Sequence, residues 1–430
     1  MDANRYERYM AAYRNLGLFP LLEPADIEAF RVEYGRLTLA RLKQAVVSSP
    51  ADGKVIFTGH RGSGKSTLLK RFERLMRDQN LFVAFFSIAD MVEMSDVNHV
   101  NILYSIAITL LSKATKLRVP ISATTQNALL NWFTQTKSKT YADQLQSELS
   151  AGANLFDFII GKLKKEKTFR EEIKVTYERS VSELSDTINR IAAAIQTATK
   201  KEVLVIIDDL DKLDLSVAEA IYRDNINALI SPNIRVVFTI PISVVREPRL
   251  FAAIQTVSPI VLLAVTKFYA QATAHQPDAE PDEKNVEVLS AVLRKRISAD
   301  LVEPDTLRQM VLLSGGVLRE LVRLGQACCR ECMLELDLEP DNAAVTINDD
   351  ILTAAMRTLR NEFARGLGTQ RYELLGQIYK EFAPPDAQSP EFLELLHALY
   401  VLEYENDDLW YDLHPLITDL LRRKDLLPAK

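Results

Sequence analysis

Nine consecutive residues, Gly59-His-Arg-Gly62-Ser63-Gly64-Lys65-Ser66-Thr67, carry the densest chemistry in the chain. They fit G-x-x-x-x-G-K-[ST], in which glycines let the backbone curl until successive amide N–H groups converge on a row of phosphates. Lys65 is spaced to reach the outer phosphates and the Ser66 hydroxyl to hold a magnesium ion. Gly59, Gly62, Ser63, Gly64 and Thr67 complete the binding set, and His60 reads as a loop filler. Further on, the apolar run Val203–Ile207 delivers Asp208 and Asp209 side by side. Two carboxylates beside a buried strand repel unless a cation is near. Asp208 therefore reads as the acid that joins Ser66 at the metal, and Asp209 as the acid that orients or deprotonates an attacking water. Thr239 stands near the end of Ile234–Ile240, where a sensor of the terminal phosphate or of that water would sit. Arg319 follows the tight turn Ser314-Gly315-Gly316, one turn into a helix, from which a guanidinium can swing to a phosphate.

Positioning such a loop takes a strand before it and a helix after it, and Val55–Thr58 and Leu68–Arg77 supply both. Four more apolar runs, Leu81–Ile88, Val203–Ile207, Ile234–Ile240 and Ile260–Val265, alternate with helical stretches. That alternation predicts an α/β fold around a parallel five-stranded sheet covered on both faces. Residues 1–50 read as N-terminal helices, with Leu37, Leu39, Ala40, Leu42 and Val46 on one side and Pro50-Ala-Asp-Gly53 ending them. Residues 51–266 read as the core, interrupted at about 113–201 by a helical insertion in which Leu184, Ile188, Ile191, Ala192 and Ile195 recur at helical spacing. Residues 267–370 read as a helical lid. The segment 371–430 reads as helix, strand, turn, strand and helix, with Glu405-Asn-Asp-Asp408 as hairpin turn.

The 430 residues are 47% apolar and 26% charged, too apolar for disorder and enough for several domains. Cys328, Cys329 and Cys332 crowd one predicted helix without the partners of a zinc site, and read as packed thiols. No run approaches about 18 apolar residues, and Met1 to Arg14 is polar and charged. Neither a spanning segment nor a signal peptide is expected, and the cytoplasm is the expected compartment. The net charge of −6 is local: residues 371–430 hold 6 Lys/Arg against 12 Asp/Glu, while the rest of the chain balances. Affinity for nucleic acid comes from the opposite sign. The candidate recognition helix Pro390–Tyr400 bears Glu391 and Glu394 and no Lys or Arg, which suits a protein partner better than DNA.

Taken together, these motifs resemble the additional-strand (ASCE-type) P-loop ATPases of the AAA+ and STAND groups, from about residue 20 to 265 and on into a helical lid and a C-terminal winged helix. The Asp208-Asp209 pair looks like the STAND pattern. Gly315-Gly316 with Arg319 looks like the lid sensor of origin-recognition-type AAA+ proteins. Trp410-Tyr-Asp-Leu413-His414-Pro415 is similar to the winged-helix segment whose histidine touches the β-phosphate of ADP in STAND proteins, which adds His414 to the binding set. The resemblance implies ATP/ADP and Mg²⁺ as cofactors, slow ATP hydrolysis and a regulatory switch. ADP would hold a closed state, and ATP would release lid and winged helix for homo-oligomerisation or control of an effector or sensor protein, in keeping with bacterial defence or stress signalling. In AAA+ assemblies a neighbouring subunit supplies an arginine finger; Arg223, Arg246 and Arg249 lie near the expected edge, none with a decisive signature. Two alternatives stand beside this reading. One is an AAA+ ATPase loaded on DNA, of the initiator or transposition-regulator type, with Lys162, Lys164, Lys165, Lys167 and Arg170 as its basic cluster. The other is a membrane-associated NTPase using Leu155-Phe-Asp-Phe-Ile-Ile160.

Overall fold

The computed structural model describes residues 5–120, 155–177, 181–246, 251, 259–339, 342, 344–405 and 408–428. The chain divides into two units, one made of Leu37–Thr58 and Leu68–Leu262, the other of Met1–Arg36, Gly59–Thr67 and Leu263–Lys430.

The first unit is organised by a sheet of β1 (Lys54–Gly59), β2 (Phe82–Ser87), β3 (Val203–Asp208), β4 (Arg235–Pro241) and β5 (Ile260–Leu262), in the order β2-β3-β4-β1-β5. β3 runs parallel to β2, with Val203 opposite Phe82 and Asp208 opposite Ser87, and parallel to β4. β5 runs parallel to β1. β1, β3 and β4 are buried along their whole length. A strand covered on both faces has no polar side to show, so its sequence is an unbroken apolar run. The expected α/β fold with a parallel five-stranded sheet is what forms, although β5 ends at Leu262, short of the expected Val265.

Helices pack against that sheet. In Arg36–Ser48 the buried stripe is Leu39, Leu42 and Val46. Leu37 is 64% exposed, contrary to expectation, because it lies two positions and about 200° around the helix from Leu39. Helix His99–Lys116 is buried over most of its length; within it Asn101 donates to the Asp96 carbonyl at 3.1 Å and Ser105 to the Asn101 carbonyl at 2.7 Å. Helix Val181–Thr199, the latter half of the expected insertion, buries Leu184, Ile188, Ile191 and Ile195 completely in the same core cluster as β2 and β3. Residues 121–154 of that insertion lie outside the described residues.

In Leu155–Lys165 the apolar residues Ile159 and Leu163 turn into the core cluster, with Phe156, Phe158 and Ile160 partly buried against it, so core packing takes up much of this face. Arg170, on Lys167–Tyr177, is buried against Asp96 at 3.1 Å and the carbonyls of Leu163 and Lys164 at 3.0 and 2.9 Å. A guanidinium spent this way is withdrawn from the proposed basic cluster. No described helix is long and apolar enough to cross a membrane.

The second unit is helical. Helix Arg5–Asn15 packs on Leu318–Leu338, and the Tyr9 hydroxyl lies within hydrogen-bond reach of the carbonyls of Leu301 and Val345, at 3.0 and 3.2 Å. Cys328, Cys329 and Cys332 are buried and free of disulfides on Leu318–Leu338. Burial pushes the thiols of Cys329 and Cys332 up to about 12, as packed rather than reactive cysteines require. The chain ends in helices Tyr372–Glu381 and Pro390–His397, the antiparallel hairpin β6 (Val401–Glu405) and β7 (Leu409–Leu413), and helix Pro415–Arg422. Leu402, Tyr404 and Trp410 of the hairpin join Val265, Val317 and Leu399 in one cluster. The central residues 406 and 407 of the expected turn lie outside the described residues.

Candidate nucleotide site

The loop Gly59–Thr67 leaves β1 and runs into helix Lys65–Asp78, the context its motif demands. Lys65 is 4% exposed, and its ammonium donates to the carbonyls of Gly59 and His60, both at 2.8 Å. A helix N-terminus and a lysine folded over the loop are the parts of an anion cradle. Gly62 has φ +82°, and a Cβ there would stand 2.5 Å from the Arg319 Cβ. The Arg319 amide donates to the Gly62 carbonyl at 3.0 Å, so helix Leu318–Leu338 begins directly on the loop and Arg319 sits at its second residue, not one turn in. Gly316, with φ +81°, permits that approach: a Cβ there would fall 1.7 Å from the Thr266 carbonyl oxygen. Tyr34 and Leu318 lie against Gly64. The Thr67 hydroxyl accepts from the Leu21 amide at 3.1 Å, which ties the N-terminal segment to the loop. Ser63 is fully buried and Ser66 half-buried.

His60 is the residue that sequence reasoning missed. It is 1% exposed, and its Nε2 accepts a 2.8 Å hydrogen bond from the Glu403 amide on β6. One residue along, the Tyr404 hydroxyl donates to the Gly315 carbonyl at 3.0 Å. β6 thus grips both the phosphate loop and the turn before Arg319. Nothing local betrays a pair 343 residues apart.

The acidic constellation belongs to the sheet unit. Asp208 ends β3 at 3% exposure, and its Oδ1 accepts from the Asp209 amide at 2.8 Å. Asp209 adopts φ +68°, ψ 1°, a left-handed conformation that Asp tolerates better than most non-glycine residues. Its Oδ2 accepts from the Ser87 hydroxyl at 2.6 Å, and its Oδ1 pairs with the Lys212 ammonium at 2.5 Å. Carboxylate oxygens of Asp208, Asp209 and Asp211 all lie within 4.8 Å of one another, an all-oxygen donor set of the kind hard divalent cations take. The spacing Asp208-Asp209-Leu-Asp211 is the sequence signal for this third acid. Thr239 on β4 is fully buried, accepts from the Leu210 amide at 3.0 Å and donates to the Ile207 carbonyl at 3.2 Å.

His414 is the N-cap of a helix and not a free side chain. Its Nδ1 accepts from the Leu416 amide at 3.2 Å, capping Pro415–Arg422, and its ring stacks on Phe363 at 5.0 Å. Burial, with the charge of Arg323 adding to it, lowers its pKa to about 3. Of the finger arginines, Arg223 is paired with Glu219 and Asp224, Arg246 ends the short helix Ile242–Val245, and Arg249 lies outside the described residues.

Among solved structures, the chain is similar to Cdc6p from Pyrobaculum aerophilum at 12% identity and a TM-score of 0.39, covering 95% of this chain and 97% of that one. It is also similar to a chain of the Drosophila ORC bound to DNA, at 12% identity and TM-score 0.38, over 98% and 94%. A third is a RuvB variant from Thermotoga maritima, at 14% and 0.37, over 96% and 100%. Scores and identities this low transfer neither substrate nor partner. No curated protein sequence matches. Residues 34–223, the stretch that holds both the glycine loop and the acidic end of β3, match the family model of the AAA ATPase domain.

Proposed function

We propose that this chain is an ATP-binding and ATP-hydrolysing switch of the STAND or origin-recognition-like AAA+ kind. The observation that carries the reading is the loop Gly59–Thr67. Its backbone bends where only glycine fits, its lysine is held over the loop, and a helix starts at its end. In this reading Gly59, Gly62, Ser63, Gly64, Ser66 and Thr67 bind the phosphates and Lys65 neutralises their charge. Mg²⁺, when bound, would screen that charge and is matched on the sheet unit by Asp208, with Asp211 beside it. Asp209 would orient the attacking water and take up its proton. Arg319, whose backbone clasps the loop, and β6, which holds His60, make the helical unit the natural reader of nucleotide state. The C-terminal helices and hairpin are read as a winged helix that passes this state to a protein partner or a second copy of the chain.

The decisive measurement is nucleotide affinity. Lys65→Ala should weaken ATP and ADP binding about 100-fold or more, as removal of a charge-assisted phosphate contact does, with the circular dichroism spectrum unchanged. Undiminished binding by a folded variant would end the reading.

A further inference from the structure

We infer that Thr239 is a positioning residue for Asp209 and not a sensor of phosphate. The inference rests on the reading of Asp209 as the acid that acts on water.

A threonine hydroxyl has one proton to give. Here that proton goes to the Ile207 carbonyl at 3.2 Å, so none remains for a phosphate oxygen, which can only accept. The oxygen itself accepts from the Leu210 amide at 3.0 Å. Ile207 and Leu210 are the residues on either side of Asp208-Asp209, so one side chain on β4 closes a bracket around both acids.

The bracket is needed because the turn inside it is strained. Asp209 sits at φ +68°, and such conformations persist only where the surroundings over-determine them. Three ties do so. The Asp209 amide is taken by Asp208 Oδ1, the Lys212 amide donates to the Asp209 carbonyl at 3.1 Å, and Thr239 holds the next amide along. The carboxylate is then aimed from two further sides, by Ser87 at the end of β2 and by Lys212. Thr239 is itself immobilised. It is fully buried, its branched Cβ restricts χ1, and its carbonyl accepts from the fully buried Tyr222 hydroxyl at 3.2 Å. A residue placed this way sets where Asp209 points without touching anything Asp209 acts on.

The test is a double-mutant cycle of Thr239→Val, which keeps shape and removes the hydroxyl, with Asp209→Asn, which keeps the left-handed turn and removes the charge. Thr239→Ser is the rescue, and Thr239→Ala is read by the same criteria should Thr239→Val not fold. Fluorescent ATP and ADP analogues report affinity, and single-turnover hydrolysis reports the chemical step. Thr239→Val should slow hydrolysis about tenfold, with both affinities within about twofold of wild type, and Thr239→Ser should restore the rate. In the Asp209→Asn background, Thr239→Val should change nothing further. Three results would overturn the inference: an undiminished rate in Thr239→Val, a selective loss of ATP over ADP affinity, or an equal slowing with and without the Asp209 charge. Wild-type hydrolysis by Asp209→Asn would remove the reading of Asp209 and the inference with it, whereas slow Asp209→Asn beside normal Thr239→Val removes the inference alone.

Discussion

His414 shows how enclosure decides what a titratable side chain can do. Because Nδ1 accepts the Leu416 amide, the ring's proton must sit on Nε2, and the whole residue is 0% exposed against Phe363. Its pKa falls from 6.5 to about 3, through burial first and the nearby Arg323 second. The folded state therefore holds the ring neutral where the unfolded chain would protonate it. Between those two values the unfolded state binds the extra proton, so stability falls as pH falls. His414→Asn keeps an acceptor for the cap and removes the titration. The stability advantage of wild type over this variant should shrink by about 1.4 kcal/mol per pH unit below about pH 6, measured by urea unfolding from neutral to acid pH. A gap that stays flat would mean that water reaches the ring. A side chain this enclosed meets a phosphate only if Phe363 and the start of Pro415–Arg422 move aside, so the nucleotide contact suggested by the resemblance carries a conformational cost.

β6 is the element whose importance grew most. The sequence reveals it as a short strand before a turn, and the hairpin forms with Val401 opposite Leu413 and Glu405 opposite Leu409. Its partners were invisible, since hydrogen bonds to His60 and Gly315 join residues far apart along the chain and leave no periodic trace. His60→Ala would strand the Glu403 amide in a buried position, a loss of about 1–3 kcal/mol. Hydrogen exchange should show it, with faster exchange in β6 and unchanged protection in β2 and β3, and equal protection throughout would exclude the tie. By contrast, periodicity sufficed for Val181–Thr199, where the residues spaced for one face are the buried ones. The phosphate loop was readable for the same reason: strand, glycines, lysine and helix are contiguous, so nothing nonlocal is needed to assemble them.

For the molecule as a whole, the apolar runs announced five strands but not the order β2-β3-β4-β1-β5, which depends on crossovers that no local pattern encodes. The acidic balance of residues 371–430 does bear on partners at this scale. If the switch reading holds, light scattering should find larger particles with a non-hydrolysable ATP analogue than with ADP. Duplex DNA should leave both sizes unchanged at physiological salt. A shift on adding DNA would favour the DNA-loaded alternative, and one size under every condition would discard nucleotide-driven assembly.

The phosphate loop is grouped with the helical unit, although the strand before it and most of the helix after it belong to the sheet unit. For protein engineering this makes a shortened chain misleading. A fragment ending after β5 would keep every strand of the sheet and both covalent flanks of the loop, yet lack Arg319, which caps Gly62, and Glu403, which holds His60. Such a fragment should fold and still bind nucleotide poorly, its loop closing only at the expense of conformational entropy that the missing segment offsets in the intact chain. Supplying residues 263–430 as a separate polypeptide should then restore binding in trans.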